Sequence, residues 1–404
     1  MTRNFVYATI SALSSGLLLL LSVVITNALG MGPWGDFTFA LSMALIGEAL
    51  MDFGVHQVTI RSIARDRSTA TTLFRNSLAV KALPGAAMFV LLSAVTFLLH
   101  DETNIRIATV LMLASAVFRS YILTIRGVLQ GLESFRDDAM VVVGDRLLIL
   151  GLCTTAVWLG YGIVGAAAGF LVARIAACAV GLIVAHRHVG LPRPAFDRAV
   201  WSDLQRRALP LGAFLVLLNL YSYIDTILLR SLAGSVETGL YNSAYKVYEG
   251  LTYGTAVISA VITPRLAQLW SVDKPAHVRL LRRALVGSGV AAIGLALVVL
   301  GVAPYLLQVF GDDAPAAAPA LNILCVGLPV VYGIWILHAA AISVFEERWL
   351  LRATLVGVTF NVALNLLLIP PYGRDGAAWA TVASEVLSLA MLTWALRRVL
   401  WPPK

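Results

Sequence analysis

The chain of 404 residues is short of charge, since Asp, Glu, Lys and Arg make up 13% of it while 59% of its residues are hydrophobic. A soluble globular protein has about 25% charged residues, so this composition excludes a water-soluble fold. Cysteine is also scarce. Cys153, Cys178 and Cys325 lie in apolar stretches without paired spacing, which argues against a disulfide framework or a zinc site and favours simple packing.

Nucleotide-binding and hydrolytic motifs are missing as well. The sequence has no Gly-x4-Gly-Lys-Ser/Thr phosphate loop, no His-Glu-x-x-His and no Gly-x-Ser-x-Gly. The stretches between its apolar runs on the predicted external side are too short to hold a catalytic domain. We therefore predict that the chain is not an enzyme, does not hydrolyse ATP, and binds no cofactor or metal as a catalyst.

Long apolar runs dominate the sequence instead, and its mean hydropathy is +0.84. We interpret twelve of them as membrane spans, because a helix needs about 20 residues to cross the hydrocarbon. The first run is too long for the apolar core of a signal peptide, usually about 7 to 15 residues, and is predicted to remain as a helix. The predicted spans are residues 5–29, 37–60, 82–99, 105–125, 140–159, 163–185, 209–229, 240–262, 284–310, 317–344, 350–369 and 377–396.

Basic residues are distributed unevenly between these spans. Of the 30 Lys and Arg residues, 23 lie on the side that holds the N-terminus, and only Arg106, Arg230 and Arg374 lie outside. Because Lys and Arg are enriched in cytoplasmic loops, we predict a protein of the cytoplasmic (inner) cell membrane with both termini in the cytoplasm. The net charge of +8 then faces anionic membrane lipids and gives no indication of a nucleic acid partner.

The two halves of the sequence resemble each other. Gly30 recurs 204 positions later as Gly234, and the stretch 161–167 recurs 211 positions later at 372–378. Each half is predicted to start inside and to cross six times, so the repeats have the same sense. We predict an all-α integral membrane fold of twelve transmembrane helices in two six-helix lobes, related by a pseudo-twofold axis along the membrane normal.

The longest interruption of the apolar runs is rich in Arg and lies near the middle of the chain. It is the predicted linker between the lobes. The predicted division is therefore an N-terminal lobe over 1–185, a basic cytoplasmic linker over 186–208, and a C-terminal lobe over 209–404.

Several ionisable residues lie inside the predicted spans, where a charge costs several kcal/mol unless it faces a polar cavity or a partner. A guanidinium can hold phosphate oxygens in pairs and an ammonium adds a point charge, so the cations indicate an anionic substrate such as a pyrophosphate. The predicted substrate-binding residues are Arg119, Arg146, Arg174 and Lys246, and the predicted coupling or gating residues are Glu48, Asp52, Asp225 and Glu385.

Some of these charges have two interpretations. Glu48 and Asp52 are four residues apart and repel on one helix face; either a cation lies beside them or one is protonated, as H+ or Na+ coupling would use. Asp225 and Lys246 are predicted at similar depth, so they either form an ion pair that only holds helices together or serve transport. Lys246 is also spaced to pair with Glu249 on one helix. Coupling to H+, to Na+ or to neither stays open.

A set of short motifs runs in order along nearly the whole chain. Each motif is weak alone, and the ordered set is specific. They are Met51-Asp52-Phe53-Gly54-Val55, Gly127-Val-Leu-Gln130-Gly131, Tyr223-Ile-Asp225, Thr238-Gly239-Leu-Tyr241, Pro264-Arg265-Leu-Ala267, Phe310-Gly311, and the stretch from Asn365 to Gly373. By these motifs the chain resembles the polysaccharide-export or oligosaccharide flippase family, whose superfamily also holds multidrug exporters and lipid II flippases.

The resemblance implies a flippase that moves an oligosaccharide on a polyprenyl-pyrophosphate carrier from the inner to the outer leaflet by alternating access. Such a precursor serves a cell-surface polysaccharide such as O-antigen, lipopolysaccharide or exopolysaccharide, and a polymerase is an expected partner. Two alternatives remain: a cation-coupled multidrug exporter of the same superfamily, and a membrane glycosyltransferase or polymerase of the same pathway. The glycan and the oligomeric state stay open.

Overall fold

The computed structural model describes residues 2–14, 16–190, 193–344 and 348–400, and within them the regular structure is helical, without a strand. Three short 3-10 turns, Arg67–Thr69, Gln308–Phe310 and Ala314–Ala317, join longer helices. The α-helices are α1 (Thr2–Leu13), α2 (Gly16–Leu29), α3 (Met31–Asp52), α4 (Val55–Arg65), α5 (Ala70–Val80), α6 (Ala82–Leu99), α7 (Thr103–Gly131), α8 (Phe135–Trp158), α9 (Gly162–Val189), α10 (Arg198–Ala233), α11 (Ser235–Val272), α12 (Lys274–Leu307), α13 (Ala318–Ser343), α14 (Arg348–Ala395) and α15 (Arg397–Leu400).

Nine helical segments of the described residues are long and apolar enough to cross a membrane, or ten if the bent pair α3 and α4 forms one span. The all-α membrane fold is therefore confirmed, whereas twelve spans remain a prediction. Two differences explain why fewer spans are found among the described residues than the sequence predicts. Helix α11 carries Glu237, Lys246 and Glu249, which lower its hydropathy, and α14 contains both of the last two predicted spans, separated by a non-helical break at Gly373.

The chain divides into two compact units, Met1–Tyr223 and Ile224–Lys404. The boundary falls within α10, beyond the end of the predicted linker at residue 208. Much of that linker is helical in the structure, since α9 runs to Val189 and α10 begins at Arg198. The predicted division into two six-helix lobes and a linker stays a prediction.

The internal repeat reappears in the backbone. Gly30 has φ 85° and ψ 176° directly before α3, and Gly234 has φ 90° and ψ 179° directly before α11. At the second repeated stretch, Gly162 has φ 58° and Gly373 has φ 54°. Positive φ is readily accessible only to glycine, so the same residue type begins the equivalent helical segment in each half.

The Met1–Tyr223 unit is built around α7, which packs against α3, α4, α6 and α9. Its inner face includes Ile122, Ile125 and Val128, all fully buried. Two glycines on α7 let α4 approach closely. A Cβ at Gly127 would lie 3.0 Å from the carbonyl oxygen of His56, and one at Gly131 would lie 2.8 Å from Cβ of Ile63.

The two halves differ where α3 gives way to α4. Phe53 and Gly54 have φ of 42° and 76°, and the two helices bend by 45° there. Gly212 of α10 packs directly against this break, since a Cβ at Gly212 would overlap the carbonyl group of Phe53. The equivalent point of α11 lies at Val257, where the helix continues without a break.

In the Ile224–Lys404 unit, α13 is the central helix and packs against α11, α12 and α14. Its inner face holds Leu321, Leu324 and Cys325, which are fully buried. Gly327 on the same helix faces α14, because a Cβ there would lie 2.8 Å from Oε2 of Glu385. The buried polar residues of both units lie within these apolar frameworks.

Candidate functional site

Four charged side chains from four helices meet in the Met1–Tyr223 unit. Glu48 of α3 lies 3.4 Å from Nε of Arg119 on α7, and Nη1 of Arg119 lies 3.7 Å from Asp145 of α8. Arg174 of α9 donates to the same Asp145 oxygen at 2.5 Å. We call Glu48, Arg119, Asp145 and Arg174 the charged belt. It contains two acids and two bases, so the charges compensate one another inside an apolar bundle.

Burial differs along the charged belt. The side chain of Asp145 is 2% exposed and that of Arg174 is 8% exposed, whereas Arg119 and Glu48 are 15% and 18% exposed. Nε of Arg174 has no hydrogen-bond partner among the residues the structure describes. Arg119 and Glu48 are therefore the end of the belt with the longer contact and the easier access.

Three predicted site residues, Glu48, Arg119 and Arg174, are thus brought together. Asp145 joins them although the sequence does not mark it as a site residue. Its only signal is a carboxylate inside an apolar run, and its pairing with α9 depends on how the two helices are rotated.

Asp52 forms a second buried group one turn beyond Glu48. Nζ of Lys81, which lies between α5 and α6, contacts Asp52 Oδ1 at 2.5 Å and donates to the carbonyl oxygen of Ser120 at 2.9 Å. His56 Nδ1 lies 3.2 Å from the other Asp52 oxygen. A cation thus lies beside each acid, as one of the two interpretations of the Glu48 and Asp52 spacing expects. Lys81 lies directly before the predicted span 82–99, and nothing in its local spacing shows that it is buried.

Arg146 lies apart from the charged belt. Its Nη1 donates to the carbonyl oxygen of Ser11 at 2.8 Å and to the Ser14 hydroxyl at 2.6 Å, both on the α1 side of the unit. The reason is helical geometry, because neighbouring residues on a helix point about 100° apart. Asp145 therefore faces α9 while Arg146 faces α1.

Asp225 is the centre of a polar cluster in the Ile224–Lys404 unit. It is buried, and it accepts hydrogen bonds from Asn365 Nδ2 at 2.7 Å, Thr381 Oγ1 at 2.7 Å and the Tyr241 hydroxyl at 3.1 Å. These partners come from α11 and from both arms of α14, and all of them are neutral. Asn365 also donates to the side-chain oxygen of Asn361 at 3.1 Å. We call these five residues the Asp225 cluster.

The cluster has spare hydrogen-bonding capacity. Oδ1 of Asn365 and Nδ2 of Asn361 are buried without a partner among the described residues. The sequence contains a signal for this pair, since two asparagines four residues apart in an otherwise apolar run place two amides on one helix face. Thr381 carries no such signal, because it contacts Asp225 across the break at Gly373.

Lys246 does not serve Asp225 as a partner. It pairs within α11 with Glu249, whose Oε2 lies 2.8 Å from Nζ, as the spacing of three residues indicates. Glu385 of α14 is buried and accepts a hydrogen bond from the Tyr248 hydroxyl at 3.0 Å. The two acids predicted for coupling in this unit therefore both have neutral donors, and their role stays a prediction.

Comparison with known families gives two long matches. Over residues 1–270 the chain matches the family described as polysaccharide biosynthesis protein. Over residues 141–401 it matches the family of the lipid II flippase MurJ. Each match covers more than half of the chain.

Curated relatives agree with these matches. The chain is 25% identical over 392 residues to the probable flippase AglR of Haloferax volcanii, in an alignment that covers 93% of this chain and 79% of that protein. It is 22% identical over 174 residues to the probable low-salt glycan biosynthesis flippase Agl15 of the same organism, covering 42% of this chain and 37% of that one.

Solved structures share the fold. An inward-facing multidrug resistance transporter of the MATE family superposes with a TM-score of 0.78 at 16% identity, covering 97% of this chain and 94% of that one. The lipid II flippase MurJ in an inward closed conformation superposes with a TM-score of 0.78 at 14% identity, covering 97% and 87%. At such identities the likeness shows the fold alone.

Proposed function

The chain belongs to the polysaccharide biosynthesis protein family, and we propose that it translocates a polyprenyl-pyrophosphate-linked oligosaccharide from the inner to the outer leaflet of the cytoplasmic membrane by alternating access. Its relationship to lipid-linked glycan flippases marks it as a multi-span membrane transporter. The leaflet direction, the pyrophosphate carrier and the cytoplasmic position of both termini are parts of the proposal. So is an associated polymerase as partner.

The observation that carries the proposal is the charged belt. A drug exporter for lipophilic cations needs carboxylates and aromatic groups in its interior, whereas the accessible end of the charged belt offers the guanidinium group of Arg119 to an anion. Guanidinium groups recognise phosphate oxygens with two parallel hydrogen bonds. A polysaccharide biosynthesis protein with such a group among its apolar helices fits a pyrophosphate headgroup best.

We assign Arg119 as the first contact of the headgroup. Its pair with Glu48 is 3.4 Å long, and both side chains are more exposed than the deeper pair of Asp145 and Arg174. A pyrophosphate that displaces Glu48 from Arg119 exchanges one anion for another, so no buried cation is left unpaired. Arg174 then serves mainly to hold Asp145. Arg146 and Lys246 are each held by other groups, and both stay proposed substrate-binding residues.

A leaflet assay tests the proposed function. Proteoliposomes would contain a fluorescent polyprenyl-pyrophosphate oligosaccharide, and a membrane-impermeant quencher would report the label that reaches the opposite leaflet. We expect transfer with the wild type and none in liposomes without protein. Export of a cationic dye without transfer of any of several lipid-linked glycans would overturn the proposal and favour the multidrug exporter.

Asp225 is the proposed coupling residue, since a buried carboxylate with neutral donors can take up H+ or Na+ with little rearrangement. The Asp225→Asn variant keeps an oxygen acceptor and loses the charge. We expect an imposed H+ or Na+ gradient to accelerate transfer by the wild type, and the variant to lose that response.

The matched control is Asp312→Asn, an exposed carboxylate in the same unit, which should respond like the wild type. Asp52 and Glu385 are the alternative coupling residues, and their amide variants belong in the same series. An Asp225→Asn protein that transfers lipid and still responds fully to the gradient would exclude Asp225 from coupling.

A further inference from the structure

A cleft of about 1100 Å³ opens in the Met1–Tyr223 unit, away from the charged belt. One wall is α4, which contributes Val58, Arg61, Ser62 and Arg65. These positions are three and four residues apart and therefore share one helix face. The opposite wall is the start of α10, and the floor is formed by the 3-10 turn Arg67–Thr69 and the first turn of α5.

Packing holds the two walls in place. Val55 and Val58 of α4 form a buried cluster with Leu204 and Ala208 of α10. The stretch before α10 is tied to α5, because the backbone N–H of Asp197 donates to Asn76 Oδ1 at 2.7 Å. The two walls of the cleft are thus joined by direct packing.

The charges of the cleft are not balanced by pairing. Arg207 on the α10 wall is paired with Asp203 at 2.9 Å. Arg61 and Arg65 are exposed, and their guanidinium groups have no ion pair or hydrogen bond among the described residues. The Cβ atoms of residues four apart on a helix lie about 5–6 Å from each other, so the two unpaired guanidinium groups can reach one anion together.

The carboxylate on the floor of the cleft already accepts hydrogen bonds from a neighbouring residue. Asp66 accepts hydrogen bonds from the hydroxyl of Ser68 at 2.7 Å and from its backbone N–H at 3.0 Å. The hydroxyl bond in particular lowers the pKa of the Asp66 carboxyl below its usual value. Asp66 thus holds the turn in shape, while the hydroxyl of Ser62 remains along the cleft as a further donor.

We propose that this cleft is a binding site for a phosphate-bearing anion, held by Arg61 and Arg65. A phosphate carries enough acceptor oxygens to bridge two guanidinium groups, which a chloride ion lacks. The volume of the cleft accommodates a phosphate together with an attached sugar or glycerol. Since the same chemistry belongs to a soluble pyrophosphate and to a lipid headgroup, both are sources to be separated by experiment. The site stands independently of the proposed transport function.

Cysteine labelling gives a local test. The native cysteines are buried, so Thr72→Cys, which introduces an exposed thiol into the cleft, can be followed with a water-soluble maleimide. We expect inorganic pyrophosphate to slow this labelling in detergent-purified protein and to leave the Ser271→Cys variant, at an exposed position outside the cleft, unaffected.

Charge variants show which side chains bind the pyrophosphate that protects the thiol from labelling. In the Thr72→Cys background, Arg61→Gln with Arg65→Gln should raise the pyrophosphate concentration for half-protection on the order of tenfold for each guanidinium removed. The matched control is Arg279→Gln with Arg283→Gln, a pair with the same spacing on α12 that is also exposed. This control should leave the protection unchanged.

Labelling in lipid nanodiscs distinguishes a lipid headgroup from a soluble pyrophosphate. Protection without pyrophosphate in nanodiscs of phosphatidylglycerol, and not in nanodiscs of phosphatidylcholine, would assign the site to an anionic lipid headgroup. Protection by pyrophosphate in detergent alone would assign it to a soluble phosphate. Absence of protection in both arms, or protection that survives the loss of Arg61 and Arg65, would overturn the proposal.

Discussion

Asp145→Asn is expected to lower the free energy of unfolding by about 3–5 kcal/mol, because removing one partner of a buried ion pair leaves the other charge uncompensated. Asp145 faces both Arg174 at 2.5 Å and Arg119 at 3.7 Å, and its side chain is 2% exposed. The asparagine has nearly the same shape, so the loss reports on charge and not on packing. Thermal unfolding of the detergent-purified variant measures it.

A double variant provides the internal check. Asp145→Asn combined with Arg174→Gln removes both charges of the closest pair and should be less destabilising than the sum of the single changes, as expected for coupled groups. The control is Asp203→Asn, whose partner is Arg207 and whose side chain is 54% exposed; an exposed pair contributes about 0–1 kcal/mol. A loss for Asp145→Asn no larger than that of Asp203→Asn would contradict the buried ion pair.

Arg119→Gln is expected to reduce lipid transfer on the order of tenfold to a hundredfold, since a hydrogen bond to a charged group contributes about 1.5–3 kcal/mol and the variant removes the proposed headgroup contact. Folding should be affected less than by Asp145→Asn, because Arg119 lies at the more accessible end of the charged belt. The measurement is the initial rate of transfer in proteoliposomes, normalised to folded protein.

Glu48→Gln separates headgroup binding from structural support. If Glu48 competes with the headgroup for Arg119, its amide variant should bind the substrate at least as tightly as the wild type. If the pair only holds α3 to α7, both variants should lose transfer and stability together. Arg67→Gln, in an exposed pair with Glu133, is the control for loss of a surface charge. Wild-type transfer by Arg119→Gln would exclude Arg119 as the headgroup contact.

Composition and periodicity were sufficient to predict an all-helical membrane protein, because apolar runs of this length have no stable place in water. The internal repeat could also be recognised in the sequence, and Gly30 and Gly234 indeed share one backbone conformation. Pro370, Pro371 and the charged residues Arg374 and Asp375 interrupt the last apolar stretch, so the sequence predicts two spans there, and α14 indeed breaks between them at Gly373. Helix ends and bends were harder to predict from the sequence. Nothing in the hydropathy reveals the bend after Asp52.

For the candidate site, the sequence by itself determined which ionisable residues lie in apolar runs and therefore need partners. It also predicted the pair of Lys246 with Glu249, because both residues lie on one helix. Only the tertiary structure decided the pairs between helices, such as Lys81 with Asp52 and Arg174 with Asp145. Spacing along the chain fixes the angle between side chains on one helix, whereas a contact between helices depends on their rotation and packing, which no local pattern encodes.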